Sequence, residues 1–423
     1  MATVETVEEF RARARAFVRS ELQPMHAADA VGVFRDHYSD EEELAAVAYD
    51  RQLQRRFFDA RLAGVCVPVE YGGLGLTPAH QQALNEELVG HEYPIRFQCP
   101  TMTPIAAVLL DFGTEEQKRR HIPAILRGEE LWMQLLSEPS GGSDVAGALT
   151  TAVRDGDEWV LNGSKVWTTG AWWSNWGLCL ARTNWDVPKH RGLTVFIMPL
   201  DLPGVDVHRI EMLNGFKDFC QEFLTDVRIP DAWRIGAVDD GWTVGTRWMT
   251  HERMLYNSPY VTNPPGTGHG GSIDPTAVEV ARAVQRLDDP LARLLVGEAR
   301  MLEAVKDAVE RRIGTGIASG VLTEPMASVG RLFVGEYLAR IVSINHELAG
   351  AAGMAWEETE ATTPELAGDF LLRTTWTLAG GSTEMARNGI AERVLGMPRE
   401  WTHGKDVPYR DVPKGPSATA GAR

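Results

Sequence analysis

Leu149-Thr-Thr-Ala-Val153, Glu158-Trp-Val-Leu161, Gly177-Leu-Cys-Leu-Ala181, Leu193-Thr-Val-Phe-Ile-Met198, Val205-Asp-Val-His-Arg-Ile210 and Glu222-Phe-Leu-Thr-Asp-Val-Arg-Ile229 follow one another as short runs rich in β-branched and aromatic residues. Turn residues separate them, as in Asp155-Gly-Asp157 and Leu202-Pro-Gly204. Runs this short, punctuated in this way, predict strands. On either side the apolar residues recur at helical spacing instead. Phe10, Ala14, Phe17, Val18 and Leu22 share one face, and Pro24 closes that segment. Further helical stretches are expected over residues 41–62, 80–89 and 103–126. Between them, Val65-Cys-Val-Pro-Val-Glu-Tyr-Gly-Gly-Leu-Gly-Leu76 reads as a loop, because its glycines and proline sit poorly in either regular element. Helical pattern returns after Gly241-Trp242 and holds to Gly396, broken by the Gly/Pro/Asn-rich residues 257–274. The order predicts an α+β multidomain chain. Its parts are an N-terminal helical domain over 1–128, a middle β domain over 129–240, a C-terminal helical domain over 241–401 and a loose tail over 402–423.

Composition narrows the function. The chain has 423 residues, 44% hydrophobic and 24% charged, which excludes a mainly disordered protein and allows a large core without disulfides or metals. Its net charge of −16 (42 basic against 58 acidic residues) argues against binding nucleic acid or anionic lipid as its main task. Cys66, Cys99, Cys179 and Cys220 lie far apart, with no zinc spacing, so no metal site is expected and the thiols read as reduced. No basic-then-apolar leader and no apolar run of about 18 residues is visible, and a cytoplasmic location is expected.

Several segments carry candidate chemistry. Gln134-Leu-Leu-Ser-Glu-Pro-Ser-Gly-Gly-Ser-Asp144 runs from an apolar strand into a turn. Gly141-Gly142 lets a ligand approach the backbone, and free N–H groups beside the Ser143 hydroxyl suit a phosphate; a plain turn fits the same residues. Asn162-Gly-Ser-Lys-Val-Trp-Thr-Thr-Gly-Ala171 begins with a hairpin signal, Asn162-Gly163. Trp167 beside two threonines then offers a flat apolar surface next to hydroxyls, as a heterocycle with polar edges requires, or as any half-buried strand would. Within Gly241-Trp-Thr-Val-Gly-Thr-Arg-Trp-Met-Thr-His-Glu-Arg253, a helix places Trp242, Gly245, Met249, Glu252 and Tyr256 on one stripe. Glu252 is then a carboxylate on an apolar face, raised by burial toward use as a base and opposed by Arg253; a structural Glu–Arg pair is the alternative. Finally, in Leu378-Ala-Gly-Gly-Ser-Thr-Glu384, Ser382 or Thr383 can cap a helix that Gly396 and Pro398 end, and Gly380-Gly381 leaves the backbone open at its start.

Taken in order, these segments resemble the acyl-CoA dehydrogenase family over roughly residues 5–400. The resemblance is carried by Val67-Pro-Val-Glu-Tyr-Gly-Gly-Leu-Gly75, Gly113-Thr-Glu-Glu-Gln-Lys118, Ser137-Glu-Pro-Ser-Gly-Gly-Ser-Asp144, Asn162-Gly-Ser-Lys-Val-Trp-Thr-Thr-Gly170, Gly241-Trp242, Glu252-Arg253 and Ala379-Gly-Gly-Ser-Thr-Glu384. It implies an N-terminal helical domain, a middle β-barrel and a C-terminal four-helix bundle, with FAD as cofactor. By the same resemblance Gln134, Leu136 and Ser137 line the flavin or acyl site. Gly142 and Ser143 follow the cofactor or CoA phosphates, and Ser143 and Arg253 serve the substrate. Trp167 packs on the isoalloxazine, Thr169 reaches its N5 edge, and Ser382 and Glu384 lie near FAD. The family reaction is α,β-dehydrogenation of an acyl-CoA thioester: a carboxylate takes the α-proton and the β-hydrogen leaves as hydride to flavin N5, with the thioester oxygen hydrogen-bonded as charge builds on it.

Two departures bear on the details. Most members carry the base just before the C-terminal Gly-Thr/Ser, where this chain has Gly380. A minority, similar to isovaleryl and long-chain enzymes, carry it just before an Arg on the first helix of the C-terminal domain, where this chain has Glu252. The Gly380 N–H remains able to donate to the thioester oxygen. The usual Arg-x-x-Phe-Gly segment, which reaches a neighbouring subunit's FAD, is replaced by Arg311-Arg-Ile-Gly-Thr-Gly-Ile-Ala-Ser-Gly320. Bacterial members with that divergence include enzymes for bulky or steroid-derived acyl groups and heteromers with a sister subunit. The expectation is therefore an oxidoreductase of lipid catabolism acting on a branched, bulky or steroid-derived acyl-CoA. It is expected to form a homo- or hetero-oligomer (a dimer of dimers, hence a tetramer) with an electron-transfer flavoprotein as acceptor. Residues 257–274 would shape the acyl pocket. A flavin oxidase or monooxygenase of the same fold, and a non-catalytic subunit, are the alternatives.

Overall fold

Helix α1 (Val7–Glu21) starts at a capping box: Thr6 Oγ1 accepts from the Glu9 N–H at 3.3 Å, and Glu9 accepts from the Thr6 N–H at 2.8 Å. In this computed structural model, residues 5–25, 39–255, 258–265, 275–354, 364–399 and 404–413 are described. Phe10, Ala14 and Val18 form the buried face of α1. Equivalent boxes open α2 (Asp40–Asp59) at Ser39 and α5 (Glu115–Leu126) at Thr114. Between them lie α3 (Pro78–Glu87) and the short α4 (Ala107–Phe112). The helix expected over 103–126 is thus two helices: Gly113 is extended and Thr114 restarts the chain. Ahead of α4, residues 97–106 carry Pro100 and Pro104, and Cys99 and Thr103 are non-helical as residues before proline tend to be.

All six quoted runs are strands. The middle β-sheet domain holds β1 (Trp132–Leu135), β2 (Thr151–Asp155), β3 (Glu158–Thr169), β4 (Trp176–Arg182), β5 (Leu193–Pro199), β6 (Val205–Arg209), β7 (Phe219–Pro230) and β8 (Arg234–Ile235). The strand order is β6-β7-β3-β2-β4-β5-β8 with β1 parallel to β4. Among the described residues the end strands β6 and β8 do not pair, so the expected barrel is an open eight-stranded sheet. Asn162-Gly163 is not a hairpin turn. It lies inside β3 at a break in register between Leu161 and Gly163, while the hairpin closes at Gly156-Asp157. Glycine is needed there for another reason: a Cβ on Gly163 would lie 2.5 Å from Thr150 Oγ1. In β4 and β5 both faces are buried, Leu178, Leu180, Val195 and Ile197 against the helices and Cys179, Ala181, Phe196 and Met198 within the sheet's own core. That explains their unbroken apolar runs.

One buried ion pair ties the strands together. Lys165 of β3 donates to Glu138 Oε1 at 2.8 Å and to the carbonyls of Leu136 (3.2 Å) and Leu180 (2.6 Å). Glu138 also accepts from the N–H groups of Leu149 (2.6 Å) and Thr150 (3.0 Å). Burial acts to raise this carboxyl, but Lys165 and the backbone donors outweigh it and hold it below the usual carboxylate range.

The C-terminal region is helical: α6 (Gly241–Arg253), α7 (Ala277–Ala283), α8 (Pro290–Ala318), α9 (Ala327–Ala349), α10 (Pro364–Leu372) and α11 (Thr383–Gly389). Helix α9 is its centre, touching α7, α8, α10 and α11, with Tyr337, Leu338, Ile341, Ile344 and Leu348 buried. Part of the expected acyl-pocket segment is packed: Val261 is buried, and the Thr262 N–H donates to Gln98 Oε1 at 2.8 Å. Tyr256, Asn257 and residues 266–274 lie outside the described residues. Residues 404–413, expected to be loose, dock on the sheet; residues 414–423 lie outside the described residues. Tyr409 is buried, donates to the Gly147 carbonyl at 2.7 Å and lies under Arg182, 4.0 Å from guanidinium to ring centre. Among the described residues no helix is long and apolar enough to cross a membrane, and no group of His, Cys, Asp and Glu could hold a metal.

Lys165→Met leaves the Glu138 carboxylate buried without its cation, so it is expected to destabilise the protein by about 3–5 kcal/mol. Urea unfolding measures this, and an unchanged midpoint would contradict a structural role for the pair.

Candidate functional site

Helix α6 presents Gly241, Val244, Gly245 and Trp248 to the interior. The buried line is therefore centred on Val244 and Trp248, whereas Trp242 and Met249, expected on it, are half-buried. Glu252 comes one turn after Trp248 and is half-buried on the same side. The helix is held in rotation from its other flank: Arg247 Nε donates to Asp111 of α4 at 2.7 Å, and His251 Nε2 lies 2.8 Å from the same carboxylate. Arg253 is exposed.

Groups from three elements are electrostatically linked to Glu252. From β1, Gln134 accepts from the Trp248 indole N–H and hydrogen-bonds the Glu252 carboxyl. From residues 97–106 comes Cys99, and from α9 comes Arg331. Burial raises the Glu252 carboxyl above its ordinary value, and Arg253, Gln134 and Arg331 oppose the rise without cancelling it. Burial, with Glu252 adding to it, pushes the Cys99 thiol up to about 12, so it is protonated and inert near neutral pH.

Arg331 also reaches the loop before α11. It donates through Nη2 to the Trp376 carbonyl at 2.9 Å and to the Ala379 carbonyl. Gly380 and Gly381 follow with φ of +67° and +95°, backbone that suits glycine. Ser382 caps α11, accepting from the Met385 N–H at 3.2 Å, as its position before Glu384 implied. Glu384 is exposed, with its carboxylate turned toward Arg387.

The third part is a ledge on the sheet. Strand β1 leads through Leu136 and Ser137 into a tight turn in which Glu138 and Gly141 exchange backbone hydrogen bonds. Gly142 and Ser143 are exposed beyond it, and Lys189 holds Asp144 at 2.7 Å. The Val166 N–H donates to the Ser137 carbonyl at 3.0 Å, which sets the end of β3 beside this turn. There the register breaks again and Trp167 adopts φ +64°, leaving the residue 53% exposed with its ring perpendicular to that of Phe219. Positive φ at tryptophan is strained, and strained residues gather at functional sites. Thr169 follows, half-buried. An exposed aromatic face, a threonine and an open glycine–serine turn lie side by side, which fits a flat heterocycle carrying phosphates.

Three residues of the site escaped the reading of the sequence. Cys99 carried no signal. Arg331 has Ala327, Ser328, Val334 and Gly335 at helical neighbour positions, so no acid on its own helix faces it, a sign that its partners lie elsewhere. Glu222 looks like an outward strand residue but is fully buried beneath the ledge. Its Oε2 lies 2.9 Å from the Thr168 hydroxyl, itself 3.4 Å from the Gln134 carbonyl. Burial pushes this carboxyl up to about 8, so it is neutral at pH 7.

Comparison with known proteins gives consistent matches. Residues 4–129 match the family described as "Acyl-CoA dehydrogenase, N-terminal domain", and residues 134–227 match "Acyl-CoA dehydrogenase, middle domain". The chain is 34% identical to acyl-CoA dehydrogenase IpdE1 of Mycobacterium tuberculosis over 94% of this chain and 99% of that protein. It is 33% identical to the IpdE1 of Mycolicibacterium smegmatis over 93% of this chain and 98% of that protein. Among solved structures it is similar to the Tcur3481-Tcur3483 steroid ACAD, with a TM-score of 0.73 and 25% identity over 93% of this chain and 98% of that chain.

A carboxyl whose folded-state pKa is raised binds its proton more tightly when folded, so its stabilising effect is lost as pH rises from the unfolded value toward about 8. Glu222→Gln should therefore gain in thermal midpoint relative to the wild type between about pH 5 and about pH 8. Parallel midpoint curves for the two proteins would refute a neutral, buried Glu222.

Proposed function

The chain belongs to the acyl-CoA dehydrogenase family, and on that premise we propose that Glu252 is the base of an FAD-dependent α,β-dehydrogenation of a steroid-derived acyl-CoA. The protein is an oxidoreductase of lipid catabolism with the acyl-CoA dehydrogenase fold. One observation carries the assignment of the base. Glu252 is a half-buried carboxyl of raised pKa, joined through Gln134 to the strand that also builds the ledge of Ser137, Gly142, Ser143, Trp167 and Thr169.

In this reading the ionised Glu252 takes the α-proton onto a carboxylate oxygen, and its raised pKa makes it a stronger base than an exposed glutamate. Gln134 orients that carboxyl. The Gly380 N–H donates to the thioester oxygen, where negative charge grows as the proton leaves. Leu136 lines the acyl side, Trp167 and Thr169 receive the heterocycle, and Gly142 and Ser143 receive phosphates. Bound FAD supplies the acceptor for the β-hydride. Ser382 and Glu384 border the same cofactor, and Arg253 meets the CoA portion. Residues 129–240 form the ledge-bearing domain between helical domains 1–128 and 241–401. Similarity to the two-component Tcur3481-Tcur3483 steroid ACAD supports a steroid-derived acyl group and a heteromer. We further assign an electron-transfer flavoprotein as acceptor and a cytoplasmic location.

Anaerobic mixing of the flavin-loaded protein with straight, branched and steroid-type acyl-CoAs tests this. Bleaching of the flavin spectrum is expected with a steroid-type thioester. Glu252→Gln should slow it by about 100- to 10,000-fold. Bleaching at the wild-type rate in that variant would remove Glu252 as base. The bleaching rate constant should also rise with pH and level off above the ordinary carboxylate range, because only the ionised carboxyl accepts a proton.

A further inference from the structure

Arg331 lies on α9, far in sequence from Glu252 and from Gly380, yet its charge acts on the first and its guanidinium lies against the loop that carries the second. One guanidinium nitrogen, Nη2, donates to the carbonyls of Trp376 and Ala379, the residue before Gly380. A Cβ on Gly380 would lie 3.8 Å from Arg331 Nε, so the guanidinium runs alongside the Gly380 backbone. Gly335, one turn along α9, makes room for this arrangement. A Cβ there would lie 2.6 Å from Arg331 Nη1 and 3.0 Å from the Trp376 carbonyl.

These contacts set a direction. The peptide joining Ala379 to Gly380 carries both the Ala379 carbonyl and the Gly380 N–H, which point in opposite senses because the peptide is planar. Gripping the carbonyl from the α9 side turns the N–H away from α9. Glycine at positive φ is otherwise among the least constrained backbone a chain can have. A donor that must meet a developing oxyanion loses its value if it is free to swing.

We propose that Arg331 is a positioning residue that fixes the direction of the Gly380 N–H, with its guanidinium holding the Trp376 and Ala379 carbonyls. The inference rests on the reading of Glu252 as base and Gly380 N–H as thioester donor, and adds to it the group that sets that donor's direction. Arg331 has a second consequence, because it is one of the charges that Glu252 feels. The other is Arg253 on its own helix; Gln134 from β1 is the polar partner, and the Cys99 thiol from residues 97–106 faces it uncharged. Asp111, Arg247 and His251 form their own cluster on the other flank of α6.

The test uses the flavin-loaded protein, with its sister subunit if flavin retention requires one. Arg331→Met, Arg331→Lys and Gly335→Ala are compared by anaerobic bleaching per bound flavin across pH. Arg331→Met should lower the plateau rate constant by about 100-fold. It should also shift the rising limb to higher pH, since a cation that favours the ionised base is gone. Arg331→Lys should return the limb toward its wild-type position while leaving the plateau low, because an ammonium lacks the planar fork. Gly335→Ala should lower the plateau with the arginine still present, and covers the case in which Arg331→Met fails to fold. A plateau within threefold of wild type in Arg331→Met or in Gly335→Ala overturns the proposal. So does a loss of thermal stability or bound flavin with unchanged turnover per flavin. Glu252→Gln measured in parallel separates the two ideas: if it too bleaches at the wild-type rate, the assignment of the base has failed rather than the role of Arg331.

Discussion

The Glu138–Lys165 pair is the constraint on which the site depends. It sits where β1 leaves the sheet, where β3 approaches its end, and against a carbonyl of β4. Two charges in the interior gain little net stability, because desolvation offsets much of their attraction. Their value is positional: every oxygen and N–H they engage has one place to be. The turn at Ser137–Ser143 and the strained Trp167 both lie within a few residues of the pair. A shift of either would separate the exposed ring from the open backbone beside it.

Helix α6 adds the Glu252 carboxyl to that frame by opposed anchoring. Trp248 is buried on one side and Asp111 grips Arg247 and His251 on the other, so rotation about the helix axis is blocked. Glu252 is thereby kept in a place where burial raises its pKa. It shares Gln134 with Trp248, which makes the position of the proposed base depend on β1 as well. Glu222 beneath the ledge shows the opposite use of the same physics. With no cation near enough to offset desolvation, it stays neutral and acts as part of the core.

The C-terminal helices are arranged around α9, and from there Arg331 governs a loop that has little structure of its own. At the other end of the chain, residues 404–413 close over the far side of the glycine–serine turn. Tyr409 and Arg182 together hold the backbone from Ala146 to Ala148, with Arg182 donating to Ala146 at 2.6 Å and to Ala148 at 3.0 Å. The turn is thus supported from below by Glu138 and from beyond by Arg182 and Tyr409.

Much of this was legible in the sequence, for identifiable reasons. Strands, capped helices and the order helix–strand–helix follow from periodicity and local hydrogen bonding, which neighbours in sequence decide. Glu252 was readable because an acid on an apolar helical face is a local contradiction. Local rules failed where a distant group took over. Asn162-Gly163 became a bulge because Thr150 leaves no room for a side chain, and the face of α6 turned toward Trp248 because β1 offered it Gln134. Residues 404–413, polar by composition, were ordered by Arg182 and Trp185 across the sheet. The sequence by itself determined the elements, their order and the presence of an acid on the inner side of α6. Only the tertiary structure decided what surrounds that acid, because Gln134 and Arg331 act on it from separate elements and the pKa of a buried group is set by its neighbours in space.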